Sequence, residues 1–307
     1  MSTQQDTAAP LVGGLVADPA VQPIDLTEIT RAPRRHPLVT VLAVLGVAVA
    51  TVVLVGALVF HLQGGAWFIV KTPSMGTAAP VGTLVLTTPT TGSDVRVGDV
   101  IAFHPPTTPS ETYTHRVVKI GPTGLLSTRG DINGATDPWQ LSSRDLVGKA
   151  VVLLPALGWL IRGLPIALLG IVIVFLATAR MRNATHRASY RIAGSSLALS
   201  IAAFVLRPFT GMVVEATGVV NGAPTATVVS TGLLPIRIAA AHGTHVDLVT
   251  GQVGQVSVPA SAHHGFYSLS SALNLSVWEW VALLAVCCLP LLWTTIVGLP
   301  AKEQEQA

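Results

Sequence analysis

PLVTVLAVLGVAVATVVLVGALVF, residues 37–60, contains no charged side chain. About twenty consecutive apolar residues suffice to cross the hydrocarbon core of a bilayer, so this run predicts a transmembrane helix. It is longer than the apolar core of a cleavable leader and follows a polar tail, which makes it an uncleaved anchor. Arg31, Arg34 and Arg35 precede it. Basic flanks stay on the cytoplasmic side, so the N-terminus is expected inside and the residues after the span outside. Residues 1–36, rich in Ala, Pro, Gln, Asp and Thr and without periodicity, read as a disordered cytoplasmic tail.

Composition agrees with the membrane reading. Only 11% of the 307 residues are charged, against roughly 25% in soluble domains, and the mean hydropathy is +0.62. The net charge of +3 does not point to nucleic acid, because the arginines sit beside apolar runs and no basic patch is interleaved with aromatics. Cys287 and Cys288 are adjacent within an apolar run. They form no spaced framework for disulfides or a metal and read as small packing residues.

Outward from the anchor, residues 61–158 change character. GTLVLTT, DVIAFH, HRVVKI and GKAVVLL are short β-rich runs separated by Pro, Gly, Thr and Asp, the pattern of a small, mostly β extracytoplasmic domain. A second span is expected at 159–179, with Trp159 and Arg162 as interfacial anchors. Residues 180–191 hold Arg180, Arg182, Arg187 and Arg191 and read as a basic cytoplasmic loop. A third span is expected at 192–214, with Arg207 snorkelling to the surface. Residues 215–276 again show short β-branched runs and read as a second small β module. A fourth span, 277–299, returns the chain to the cytoplasm, followed by the polar tail 300–307. The expected class is a multi-pass plasma-membrane protein of about four transmembrane helices, with a catalytic β domain and a second β module outside and both termini inside.

Three segments of the first β domain carry residue types suited to acyl transfer: TPSMG at 72–76, THRVV at 114–118 and STRGDINGATDPW at 127–139. A serine hydroxyl becomes a useful nucleophile only when a base takes its proton. A neutral imidazole does this near its ordinary pKa, and a carboxylate fixes its tautomer. Taken alone, each residue also has a plain reading: Ser74 as a turn serine, His115 as an inert loop histidine, and Gly98–Asp99 as turn chemistry.

Taken together, the boxes PSMG, VRVGDVIAF, THRVV and TRGDINGATDP, in that order after an anchor helix, resemble the type I signal peptidases. The likeness is to their serine–histidine branch, found in the endoplasmic reticulum, archaea and some Gram-positive bacteria, and it covers roughly residues 40–160. It implies Ser74 as nucleophile and His115 as base, with Asp137 favoured as the partner of His115. Asp131 either shares that role or holds its loop. Lys119 is left as a surface lysine. The resemblance further implies the Ser74 backbone N–H and the Thr72 hydroxyl as oxyanion donors, and Met75 as a substrate contact. The substrates would be signal-peptide-bearing preproteins presented at the bilayer surface, cut after small residues, with no metal or organic cofactor. The chain departs from the family pattern after the nucleophile. Thr77 stands where many relatives carry proline, and proline is delayed to Pro80, so the turn there must differ.

Two other classes fit less well. A non-catalytic scaffold that uses the domain to bind exported proteins has no physical need for Ser74, His115, Asp131 and Asp137 together. A transporter fits poorly with spans so low in charge. In 215–276, His242, His245, His263 and His264 lack a supporting Cys or carboxylate pair and read as solvated loop histidines. The module itself is expected to dock a partner or substrate.

Overall fold

The computed structural model describes residues 37–257 and 268–296. The proposed tails 1–36 and 300–307, the basic cluster Arg31–Arg35, and His263 and His264 lie outside the described residues. The first helix, α1 (Pro37–Leu62), is apolar on every side and buries no residue, as expected of a helix whose solvent is lipid. The chain divides within it into two compact units, Met1–Ala48 and Val49–Ala307. Every strand and every helix after α1 belongs to the second unit.

Directly after α1 the chain enters an antiparallel sheet of six strands: β1 (Ala66–Ile69), β2 (Leu84–Thr88), β3 (Val100–Phe103), β4 (Tyr113–Ile120), β5 (Leu126–Arg129) and β6 (Leu146–Leu154). Their order across the sheet is β1-β2-β6-β3-β4-β5. Strand alternation sorts the side chains. In β4, His115 and Val117 are buried while Arg116 between them turns to the other face. In β5, Leu126 and Thr128 are fully buried and Arg129 is exposed. Two apolar clusters hold the domain. One contains Ile101, Phe103, Val117, Leu126 and Leu141. The other contains Val70, Met75, Ala79, Val85 and Val100. The site lies between them.

Helix α2 (Leu157–Thr178) leaves this domain. The Trp159 indole N–H donates to the Val81 carbonyl at 3.1 Å, and the Gly158 N–H donates to the Gly82 carbonyl at 2.9 Å. Trp159 therefore latches the helix to the loop before β2, a role beyond the interfacial anchor expected of it. Helix α3 (Ala184–Leu206) packs on α2 through small residues, Gly170 facing Ala198 and Gly194 facing Val174, which lets the backbones approach closely.

The expected third span, 192–214, is corrected at both ends. The helix starts at Ala184, inside the expected basic loop, because the Asn183 side chain accepts the His186 N–H at 3.0 Å as an N-cap. Arg187 and Arg191 are helical. Arg191 donates to the Thr178 hydroxyl at 3.0 Å and lies 4.4 Å from the Phe175 ring centre. The loop shrinks to residues 180–183. The helix stops at Leu206 because Arg207 precedes Pro208, which disfavours helical backbone at the residue before it. Arg207 adopts φ 48°. Residues 212–214 are strand.

The second module contains β7 (Met212–Val220), β8 (Ala223–Ser230), β9 (Ile236–Ala240), β10 (His245–Leu248), β11 (Val253–Ser257) and β12 (Leu269–Leu273). They form two antiparallel three-stranded sheets, β10-β9-β12 and β11-β8-β7. One apolar cluster from both sheets, including Val228, Ile236, Ile238, Leu248 and Val256, fills the space between them. The expected fourth span, 277–299, is two helices, α4 (Val277–Cys287) and α5 (Leu289–Ile296), bent by 52°. Pro290 in the first turn of α5 lacks an N–H and crowds the preceding turn, which breaks the helix at Cys288. Residues 297–299 lie outside the described residues. The helices α1, α2 and α3 are each long and apolar enough to cross a membrane, and the bent pair passes the same test only when taken together.

Candidate functional site

Ser74 is presented by a one-turn 3-10 helix, Pro73–Met75, with proline at its start. Proline's fixed φ suits a first helical position, where no N–H is needed. The turn closes with the Gly76 N–H donating to the Pro73 carbonyl at 2.7 Å. It points Ser74 toward a cleft and Met75 inward. Met75 is 1% exposed and packs with Val70, Ala79 and Val85. The expected substrate contact at Met75 is therefore corrected: its side chain belongs to the core beneath the turn that carries Ser74.

Across the sheet, β4 brings His115 to Ser74. The imidazole Nε2 lies 3.1 Å from the Ser74 Oγ, and Nδ1 lies 2.7 Å from Asp137 Oδ2. The His115 and Asp137 side chains are 8% and 7% exposed. Burial without partners would be costly for either group, and here each has one. With the carboxylate accepting a hydrogen bond from Nδ1–H, Nε2 carries the lone pair that faces the serine hydroxyl.

The environment of Asp137 is made by a residue that motif reading passed over. Thr128, fully buried on β5, donates its hydroxyl to Asp137 Oδ2 at 2.6 Å. The Asp137 N–H donates to the Thr128 carbonyl at 2.9 Å. Thr128 thus holds both backbone and carboxylate of Asp137. The alternation Leu126–Thr128 on the buried face of β5 was the signal available for it. Phe103 and Tyr113 back the imidazole, with ring centres 6.1 and 6.0 Å away, and Trp139 stacks behind both.

Asp131 is placed elsewhere. Both of its oxygens accept from Arg116, Nε at 2.8 Å and the terminal nitrogen at 2.7 Å. The other terminal nitrogen of Arg116 donates to the Gly98 carbonyl at 2.8 Å. The hydrogen bonds to Asp131 hold the Arg116 guanidinium above its ordinary pKa. Asp131 therefore ties its loop to the outer face of β4 and does not touch His115. Arg116, next to His115 in sequence, is on the opposite face because strand side chains alternate. The same loop supports Ser74 from behind. The Ile132 N–H donates to the Ser74 carbonyl at 3.1 Å. Gly130 lies so close that a Cβ there would come within 2.7 Å of that carbonyl oxygen.

Thr72 places its hydroxyl oxygen 3.5 Å from the Ser74 Oγ. The Ser74 N–H belongs to the first turn of the 3-10 helix, where amides have no acceptor within the helix. The Thr72 hydroxyl and the Ser74 amide thus both lie beside the Ser74 hydroxyl. Lys119 is exposed on the far part of β4. Asp99 is a turn residue, its carboxylate accepting the Arg96 N–H at 2.8 Å and pairing with Lys149 at 2.8 Å. His242 and His245 are exposed in the second module, and among the described residues no three His, Cys, Asp or Glu side chains gather as a metal-binding set.

The Ser74–His115 pair opens into a cleft of about 880 Å³. One wall is residues 67–72, the edge strand β1 and its extension. The other is residues 110–115, where β4 begins, and Asn133 lies in the lining too. Compared with known proteins, the chain matches no family model, no curated protein and no solved structure.

Proposed function

We propose that the chain is a membrane-bound serine endopeptidase of the signal-peptidase type, cutting signal peptides from exported preproteins at the outer face of the membrane. The observation that carries the reading is the buried relay Asp137–His115–Ser74, with separations of 2.7 and 3.1 Å, opening on a cleft walled by an edge strand. A strand edge offers a row of backbone donors and acceptors to an extended peptide, the shape of a signal-peptide cleavage segment. The chain enters β1 at Ala66, just after the apolar helix ends at Leu62, which favours a site close to the bilayer surface.

In this mechanism His115 Nε2 takes the hydroxyl proton as Ser74 Oγ attacks the scissile carbonyl carbon. The Ser74 N–H and the Thr72 hydroxyl stabilise the oxyanion. Collapse breaks the C–N bond. The imidazolium gives its proton to the leaving amine, and Asp137 stabilises the charge that imidazole carries in between. Water, deprotonated by His115, then attacks the acyl-serine carbonyl, and as the C–Oγ bond breaks the imidazolium returns the proton to Ser74 Oγ and the carboxylate product leaves.

Processing of a preprotein in proteoliposomes tests this. Ser74→Ala is expected to reduce cleavage by at least about a thousandfold, the scale seen when a triad member is lost, and to abolish labelling by a fluorophosphonate probe. Undiminished processing by Ser74→Ala would overturn the reading.

A further inference from the structure

The bend between β10 and β11 reaches the turn that carries Ser74. The Gln252 N–H donates to the Val249 carbonyl at 3.0 Å, and the Gln252 side-chain oxygen accepts the Val249 N–H at 3.1 Å. The bend is tied to the end of β8 twice. The Gly251 N–H donates to the Ser230 carbonyl at 2.8 Å, and the Ser230 N–H donates to the Gln252 carbonyl at 3.0 Å. Leu248, just before the bend, is anchored in the module's core. The module thus carries this bend as a rigid projection.

At its tip Gly251 is buried with φ +77°. A Cβ added there would strike the Gly76 carbonyl oxygen and come within 2.9 Å of the Thr77 nitrogen. The Gly251 backbone therefore lies directly against the peptide joining Gly76 to Thr77, two residues past Ser74. Ile132, from the loop that also carries Asp131 and Asp137, presses on the same turn, since a Cβ on Gly76 would lie 2.6 Å from its Cγ2. Gly76 itself has φ 53° and ψ −133°. Only glycine takes that conformation without strain, and it needs neighbours to select it from the alternatives a glycine has.

We propose that Gly251 and its bend are a positioning element for the nucleophile, through which the second β module sets the placement of Ser74 against His115. The inference rests on the peptidase reading above. Gly251 touches no reacting atom. It acts through the Gly76–Thr77 peptide, and a displacement of about 1 Å at a reacting group can lower a rate about a hundredfold.

The test uses the full chain in proteoliposomes and compares Gly251→Ala with Gly222→Ala. Gly222 is in the same module and has φ +79°, but an added Cβ there meets nothing within 4 Å. Both variants force alanine into left-handed backbone, and only one presses on the nucleophile turn. Gly251→Ala is expected to lower kcat and the rate of fluorophosphonate labelling by about ten- to a hundredfold, with KM little changed. Gly222→Ala is expected to label as the unaltered chain does, with a similar Tm. Equal labelling of the two variants would overturn the proposal. Should Gly251→Ala fail to fold, Gln252→Ala, which loosens the bend without adding atoms, decides: slower labelling supports the proposal and an unchanged rate overturns it. Amide exchange at Gly76 and Thr77 in a Ser74→Ala background needs no catalysis. Faster exchange on adding Gly251→Ala supports the positioning contact and unchanged exchange overturns it, whereas a fall of the peptidase reading would show separately, as processing by Ser74→Ala alone.

Discussion

The two β regions are built alike from short antiparallel strands and differ in what they bury. In the first, a histidine and a carboxylate sit at 8% and 7% exposure between two apolar clusters, beside a cleft. In the second, one apolar cluster fills the space between the sheets. Its paired charges, Arg237 and Asp247, lie at the surface, 48% and 44% exposed, as do His242 and His245. Burying titratable groups is costly unless each is paired. A fold that buries a paired set at a cleft wall has given up stability that an apolar core would have kept, which supports the proposed catalytic role. The second module shows no such set among its described residues and supplies shape instead: a projecting bend against the turn that carries Ser74.

The strongest way to break that contrast is to compare the two carboxylates of the first domain. Asp137→Asn leaves the packing intact and replaces the proton acceptor at His115 Nδ1 with an amide, which disfavours the productive tautomer. It is expected to lower kcat about a thousand- to ten-thousandfold. Asp131→Asn loosens a loop bound to Arg116 and is expected to cost less than about tenfold. Steady-state processing rates of the two variants, measured side by side, decide the matter. Equal effects would mean that burial beside the cleft does not mark the reacting carboxylate.

A smaller change probes the layer behind the relay. Thr128→Val keeps the shape of a fully buried side chain and removes the 2.6 Å hydrogen bond to Asp137. Loss of a hydrogen bond to a charged partner costs about 1.5–3 kcal/mol, so the labelling rate of Ser74 is expected to fall about tenfold, with a drop of a few degrees in Tm. A lower Tm with an unchanged labelling rate would assign Thr128 to stability alone.

Much of this was legible in the sequence, and unevenly so. The apolar run from Pro37 and the β-branched strands Leu84–Thr88, Val100–Phe103 and Tyr113–Ile120 arise from hydropathy and residue type. Strands β1, β5 and β12 were harder, because AWFI, LSTR and LSSAL are short or polar and become strands only by pairing. The meeting of Ser74 with His115 spans 41 positions and that of His115 with Asp137 spans 22, so boxes in the right order could suggest them and only strand order could bring them together. The residues alone left Asp137 and Asp131 unranked and only the resemblance favoured Asp137, because the choice depends on which face of β4 each reaches. Met75 misled because the resemblance implied a substrate contact there, while the 3-10 turn sends its side chain into the core. The basic loop misled because arginines count as loop signals, whereas here Arg191 lies in a helix and meets Thr178 and Phe175 on the neighbouring helix, and Arg187, also helical, donates to the Met181 carbonyl. The bend at Gly251 left no trace in any local pattern, since its importance is a contact between distant glycines.

The smallest expected effect compares ion pairs. The Asp99 carboxyl is raised by partial burial, but the hydrogen bonds from Lys149 and the Arg96 N–H outweigh this and hold it below its ordinary value of 3.8. Asp247 is lowered by Arg237. A carboxyl depressed by folding adds stability that is fully present above its unfolded pKa and is lost as pH falls through the folded one. Each pair should therefore support the protein at neutral pH and release that support below about pH 4. The two pairs differ in setting. Asp99 is 20% exposed and bridges the turn before β3 to β6, whereas the Arg237–Asp247 pair is well solvated and screened. Melting curves from pH 7 down to pH 3 should show Asp99→Asn lowering Tm by a few degrees at neutral pH, about 1 kcal/mol, with the difference from the unaltered chain closing toward pH 3. Asp247→Asn should barely shift the curve at any pH. A larger loss from Asp247→Asn than from Asp99→Asn would mean that the second module leans on its surface charges, contrary to a reading in which its shape is held by its apolar core.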